Sequence, residues 1–280
     1  MCGIVGAVAE RNVTPILIEG LQRLEYRGYD SAGVALVQAD GEVQRRREVG
    51  KVVNLSNNLD AEPLTGGVGI AHTRWATHGS VQQTNTHPHM SGNDLALVHN
   101  GIIENYITLR EELQSQGYVF ASDTDSEVIV HLIHNCLGDG GLLHSVRRAV
   151  KRLDGAYAIA VCWADEPDRI VAARSGCPLV VGKGIGENFL ASDVLALKAV
   201  TDRFIFLEEG DLVDLRRDRI DIWSIDNEAV LRADVRIEMA KDDFDKGNFR
   251  HYMQKEIFAQ PQVLKAVSYT HLTLPTILLV

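Results

Sequence analysis

Short apolar runs separated by glycine- and asparagine-rich turns dominate this chain, and stripes recurring every three or four residues occupy only a few windows between them. Residues 3–9 form an apolar and glycine run of strand length, which predicts a buried strand with Cys2 at its start rather than on a free arm. Thr14-Pro15 is a helix-opening pair, and Leu17, Ile18, Leu21 and Leu24 then repeat on one face. The glycine-rich stretch 27–33 ends that helix. Residues 34–37 and 43–49 read as strands joined through Asp40-Gly41, a hairpin signal. Further strands are predicted over 69–75 and 95–99. The polar loop 76–94 lies between them, and loops of that length inside a compact domain are usually functional or disordered.

Helical spacing returns at 104–116, 126–136 and 142–153. Strand-like runs follow at 156–162, 169–173, 179–182, 188–191, 204–207, 211–215 and 220–225. Strands in blocks and helices in blocks, without strict alternation, predict an α+β fold with largely antiparallel sheets. The pattern changes after about residue 227. Residues 242–247 are charged and turn-prone, 251–258 read as a helix stopped by Pro261, and 268–280 are apolar and β-branched. The expected organisation is a principal domain over 2–227, a linker over 228–267 and an unassigned tail over 268–280.

Composition narrows the function classes. A chain of 280 residues can bury a substantial core. Its formal net charge of −10, with no compensating basic stretch, argues against a nucleic-acid surface. Arg45-Arg46-Arg47 is the one dense basic run, and it reads as the solvated edge of an alternating strand. No apolar run approaches the roughly 20 residues that span a bilayer, and residues 1–9 lack the basic start of a secretion signal. Cys2, Cys136, Cys162 and Cys177 show neither a Cys-x-x-Cys pair nor the density of a disulfide scaffold, so a reducing, cytoplasmic setting is expected.

Cys2 carries the most chemical content. A small second residue permits removal of Met1, leaving a thiol and a free α-amine on one residue. The thiol is a nucleophile, and the amine, with a reference pKa of about 7.7–8.0, can act as general base directly or through water. The alternative is a cysteine that merely packs in the first strand. Asn100-Gly101 ends a predicted strand and offers a side-chain amide and a backbone N–H suited to a developing oxyanion, yet the same pair is a common tight turn. Arg74 at a strand end suits bidentate capture of a carboxylate, or a surface ion pair. Trp75 can wall off solvent or join the core, and Thr77 and His78 offer polar contacts. Asp125 can hold an ammonium group, or one of Asp123 and Asp125 can cap the following helix. His72, His78, His87, His89 and His99 crowd this region, but no carboxylate or cysteine stands at a usual ligand spacing. No metal site and no cofactor are expected, and His87 is expected to hydrogen-bond within its loop.

Four ordered motifs carry a resemblance: Met-Cys-Gly-Ile-Val-Gly at the start, Leu-Glu-Tyr-Arg-Gly-Tyr-Asp-Ser-Ala-Gly at 24–33, His-Thr-Arg-Trp-Ala-Thr-His-Gly at 72–79 and His-Asn-Gly-Ile-Ile-Glu-Asn at 99–105. Together, over roughly residues 2–267, the chain resembles the glutaminase half of the glutamine–fructose-6-phosphate aminotransferases, within the class II glutamine amidotransferase family. The resemblance implies a four-layer αββα N-terminal-nucleophile hydrolase fold, with two mainly antiparallel sheets between helix layers. It implies that Cys2, after Met1 removal, forms a γ-glutamyl thioester, and that Asn100 and Gly101 make the oxyanion hole. Arg74 matches the group holding the α-carboxylate of L-glutamine, and Asp125 the group holding its α-amine. Thr77 and His78 match the loop closing over glutamine, and Trp75 matches the residue gating ammonia passage. Arg27 lies in another motif without an assigned role. In the family a sugar-isomerase half binding fructose 6-phosphate follows, and a homodimer is expected only at full length. The rival readings are another class II amidotransferase and a non-catalytic glutamine-binding module. The residues at 26–30, 75–78 and 251–256 favour the aminotransferase resemblance over another class II amidotransferase.

Overall fold

The computed structural model describes residues 2–38, 40–76, 79–237 and 252–272. In chain order the strands are β1 (Gly3–Val8), β2 (Ser31–Val37), β3 (Val43–Val49), β4 (Val68–Arg74), β5 (His89–Ser91), β6 (Leu95–Ile103), β7 (Gly155–Trp163), β8 (Glu166–Ser175), β9 (Val180–Lys183), β10 (Asn188–Ala191), β11 (Arg203–Phe206), β12 (Asp211–Arg216), β13 (Ile220–Ser224) and β14 (Asp234–Arg236). The helices are α1 (Thr14–Leu24), α2 (Val52–Ala61), α3 (Tyr106–Ser115), α4 (Ser126–Asn135), α5 (Gly141–Val150) and α6 (Tyr252–Leu272).

The strands form an eight-stranded sheet, ordered β14-β11-β9-β10-β1-β4-β2-β3, and a six-stranded sheet, ordered β13-β12-β8-β7-β6-β5. Neighbours in both run antiparallel. Helices α1 and α2 pack on the outer face of the first sheet, and α3, α4 and α5 cover the second. The inner faces of the sheets meet, which gives the αββα layering expected above.

Alternation explains why the sheets face each other. In β1, Ile4 and Val8 join Ile70, Val98, Ala160 and Ile170 in the core between the sheets. Val5 points the other way, so that a Cβ on Gly20 of α1 would stand only 3.0 Å from it. A strand buried on both sides must read as a continuous apolar run, and this one does. Each fully buried aliphatic side chain here stabilises the sandwich by about 1.5–3 kcal/mol. In α1, Pro15 sits in the first turn, and Ile16, Leu17, Gly20, Leu21 and Leu24 are buried.

Several elements differ from expectation. Helix α2 buries Val52, Leu55 and Leu59 at helical spacing, but its asparagines and serine have low helix propensity and hide the pattern. The solvated edge expected at 45–47 is instead half-buried in β3. Residues 228–237, expected to open the linker, fold back onto the sandwich: Val230 N–H donates to the carbonyl of Ile222, and β14 pairs with β11. The first compact unit therefore runs through Ile237, and the second is 238–280. Within that second unit, α6 continues through Pro261 to Leu272 rather than stopping at the proline. Residues 242–247 and 273–280 lie outside the described residues.

Candidate active site

The same alternation delivers the site. In β4, Ile70 lies in the core between the sheets, and two and four residues on, His72 and Arg74 share its face. In β6, Ala96 and Val98 lie in that core, and Asn100 follows them. Strand β1 pairs with β4 through Gly3↔Thr73 and Ile4↔His72, which places Cys2 beside the end of β4. The core of the sandwich thus gives way, at one end, to a thiol, a guanidinium and a carboxamide. Cys2, Arg74, Trp75, Gly101 and Asp125 line one narrow cleft there, of about 30 Å³. A wider groove, about 720 Å³, lies at the opposite end of β1 around Val8, Glu10 and Arg217, and contains none of these residues.

The Cys2 sulfur accepts the Trp75 N–H at 3.2 Å and donates to the Trp75 carbonyl at 3.5 Å. Burial pushes the thiol pKa up from its ordinary value, while the Trp75 N–H and Arg74 draw it down. A base close to this sulfur is therefore needed to populate the thiolate near neutral pH. The Asn100 amide nitrogen donates to the Cys2 carbonyl at 3.3 Å, and a primary amide has a second N–H to give. Gly101 has φ of +136°, and a Cβ there would stand 1.9 Å from the Ala156 carbonyl oxygen. Only glycine fits where β6 presses on β7, and that contact fixes the Gly101 N–H.

Arg74 is 4% exposed, and burial lowers its pKa against the opposing pull of Cys2, Asp30 and Asp125. Its guanidinium donates to the carbonyls of Ser80 at 3.1 Å and Gly79 at 3.4 Å, so the following loop folds down on it. Asp125 precedes α4 but makes no side-chain cap. Instead its Oδ2 accepts the Ile103 N–H of β6 at 2.8 Å, and its Oδ1 accepts the Ser126 hydroxyl at 3.4 Å. A buried cation and a buried anion thus flank the thiol, an arrangement complementary to a zwitterionic amino acid. Asp30, which is not among the expected site residues, accepts the Ala76 N–H at 2.8 Å and fixes the chain as it leaves β4.

Histidines form the layer beneath. The rings of His72 and His87 stack at 4.1 Å, and His89 meets His87 edge-on at 4.6 Å. Burial holds His72 and His89 down to about 3 and His87 well below its ordinary value, so these rings are neutral. His87 accepts the His99 N–H of β6 at 3.3 Å, and His89 meets the Thr124 hydroxyl at 3.1 Å. The expected bond within the loop is thus a bond across to the strand. Burial alone would raise the Glu127 pKa, but the His131 ring 3.7 Å away, together with bonds from the Ser122 hydroxyl and the Ala121 and Ser122 N–H groups, holds it down to about 2. That carboxylate ties the turn before α4, where Asp125 sits.

Of the expected site residues, Cys2, Arg74, Trp75, Asn100, Gly101 and Asp125 come together. Thr77 and His78 lie outside the described residues. Trp75 belongs to the surface rather than the core, being 50% exposed. Arg27 pairs with Asp193 and stacks beside Tyr26, away from the cleft lining. Two arginines of the basic run grip the site loop: Arg47 donates to the carbonyls of Thr84 at 3.3 Å and Thr86 at 2.9 Å, and Arg45 to Pro88 at 3.2 Å. The alternation of β3 was the available signal, since it places 45 and 47 on one face.

Known proteins resemble this chain in sequence and in fold. The family model for a glutamine amidotransferase domain matches residues 72–199. The chain is 60% identical to a glutamine–fructose-6-phosphate aminotransferase (isomerizing) of Pseudomonas putida over 95% of this chain and 44% of that protein. It is 54% identical to the Escherichia coli protein of the same description, again over 95% and 44%. Among solved structures, a glutamine phosphoribosylpyrophosphate amidotransferase from B. subtilis superposes with a TM-score of 0.69 at 26% identity, covering 80% of this chain and 49% of that one. The chain thus spans less than half the length of the curated relatives it matches.

Proposed function

We propose that this chain, which belongs to the glutamine amidotransferase family, hydrolyses the side-chain amide of L-glutamine to glutamate and ammonia. The observation that carries this reading is the convergence of Cys2, Arg74, Gly101 and Asp125 on one cleft, with the Asn100 amide turned toward Cys2. Arg74 binds the α-carboxylate of glutamine, in competition with the Gly79 and Ser80 carbonyls, and Asp125 binds its α-amine. The side-chain amide then lies toward the sulfur. With Met1 removed, the Cys2 α-amine takes the thiol proton, directly or through water, and the thiolate attacks the amide carbon. Asn100 Nδ2 and the Gly101 N–H meet the charge that develops on oxygen. The C–N bond breaks as the amine returns its proton to nitrogen, and ammonia leaves. Water then adds to the thioester, and glutamate departs with the thiol restored.

Trp75, Thr77 and His78 are assigned to substrate binding in this reading. In the relatives the released nitrogen goes to fructose 6-phosphate, as their name states, and we assign that step to the sugar-isomerase portion this chain does not match. A full-length protein carrying both halves is taken to be a homodimer. An unpaired nucleophilic thiol suits the reducing cytoplasm.

Incubation with an electrophilic glutamine analogue, followed by mass spectrometry of the N-terminal peptide, tests the reading. A single adduct on Cys2 of a chain lacking Met1, with glutamate release abolished in Cys2→Ala, is expected. Labelling at another residue, or normal turnover by protein that retains Met1, overturns it.

A further inference from the structure

His72 has no part in the chemistry above, yet it touches the group that does. Its Nε2 lies 3.0 Å from the carbonyl oxygen of His99 and 3.0 Å from the side chain of Asn100. A backbone carbonyl can only accept, so Nε2 carries the proton and donates. The Asn100 atom facing that same N–H must then accept as well, which makes it the oxygen. The amide nitrogen is left to face the Cys2 carbonyl at 3.3 Å, and that neighbour too can only accept. Two carbonyl oxygens of fixed character, one on each side, thus settle a choice that electron density seldom settles directly.

We propose that His72 is a positioning residue that locks the Asn100 carboxamide in the one orientation able to donate to the oxyanion. This rests on the glutaminase reading for its consequence in turnover, though the lock itself is a property of the fold. With the amide reversed, Asn100 would present oxygen to the Cys2 carbonyl and to the developing negative charge, and the hole would repel what it is there to hold. The ring is itself held. It is buried, it stacks on His87 at 4.1 Å, and its Nδ1 has no hydrogen-bond partner among the described residues. In the other neutral tautomer that Nδ1 would bear a buried N–H with no acceptor among them, and two carbonyl-type oxygens would face a bare Nε2. The packing therefore selects the tautomer, the tautomer selects the amide orientation, and the orientation completes the oxyanion hole. A histidine does this better than a lysine or arginine because it is a single planar donor without charge at that depth.

The test is a double-mutant cycle on the whole chain, read as kcat and KM for glutamine. His72→Leu keeps bulk but removes the donor, and is expected to lower kcat about 10- to 100-fold, below the ceiling of about 10²–10³ for outright loss of an oxyanion donor. KM should stay within about threefold, because the substrate carboxylate and amine are held elsewhere. His72→Gln places an amide N–H near the former Nε2 and should recover most of the loss. In an Asn100→Ala background, His72→Leu should change kcat by less than about twofold, since its only route to the chemistry is gone. Equal losses in both backgrounds, or no rescue by glutamine, overturn the proposal. If His72→Leu does not fold, the ring nitrogens of the parent protein decide by long-range ¹H–¹⁵N correlation: an Nε2-protonated neutral His72 is required, and an Nδ1-protonated one is fatal. An inactive parent protein with the required tautomer would refute the glutaminase reading and leave the lock standing.

Discussion

Replacing Gly101 with alanine separates two demands that meet at one residue. At φ of +136° the new Cβ would stand 1.9 Å from the Ala156 oxygen, about 1.5 Å short of an ordinary 3.4 Å contact. Neither strand yields easily, because β6 and β7 are paired from Leu95↔Trp163 to Ile103↔Gly155. The backbone strain costs about 1–2 kcal/mol and the overpacking about 1–3 kcal/mol, a melting-temperature loss of roughly 4–20 °C for a domain of this size. In the proposed reaction, the displacement also carries the Gly101 N–H and the adjacent Asn100 away from the oxyanion. Loss of one such donor lowers kcat about 10²–10³-fold, or roughly 2.7–4 kcal/mol of barrier. Gly117→Ala is the control, since Gly117 has φ of +93° but nothing within 4 Å of its Cβ position. It should lose about 1–2 kcal/mol of stability from the same strain and no turnover. Glutaminase assays beside thermal melts of both variants decide the matter. A Gly101→Ala protein turning over within about threefold of the parent, or a Gly117→Ala protein equally impaired, refutes the reasoning.

Arg74→Ala should raise KM for glutamine by roughly 10- to 150-fold, the equivalent of about 1.5–3 kcal/mol for a charge-assisted bond; unchanged saturation in a glutamine titration removes Arg74 from the site. Arg47→Ala withdraws the donors to Thr84 and Thr86, and is expected to speed proteolysis within 80–88 and raise KM while sparing the rate of Cys2 alkylation by a small electrophile; an unaltered cleavage pattern argues that the clamp is idle. Acid should destabilise the fold early. His72 and His89 titrate near 3 when folded, against an ordinary 6.5, so the stability of their neutral rings is complete above pH 6.5 and lost as pH falls toward 3. At pH 5 the two together cost roughly 4 kcal/mol. Glu127 adds a further loss below pH 4.5, its folded value being about 2. Urea midpoints at pH 7.5, 6 and 5 should fall steadily, and a flat profile would contradict buried, neutral rings.

Much of this was legible in the residues themselves. A strand buried on both faces must be apolar throughout, so β1 could be read, and with it the placement of Cys2. The helix after Thr14-Pro15 and the hairpin at Asp40-Gly41 carry local signals of the same kind. Arg74 and Asn100-Gly101 each left two readings open in the sequence, and the fold brings them to one place beside Cys2. Asp125 stood open between binding and capping, because both need a carboxylate before a helix; the structure shows no side-chain cap there and a bond from Ile103 across the fold instead. Helix α2 was hidden by its asparagines, and β14 by its three-residue length. The roles of His72, Asp30 and Arg47 depend on partners distant in sequence, and no spacing within one segment reports such partners.

Trp75 joins the two faces of this molecule. The peptide groups on either side of its Cα bracket the Cys2 sulfur, while half of the residue's surface meets solvent. Each peptide group is planar, so a change in the Trp75 backbone torsions would move its N–H or its carbonyl relative to the sulfur. The thiol's two backbone contacts therefore belong to a residue at the protein's outer boundary.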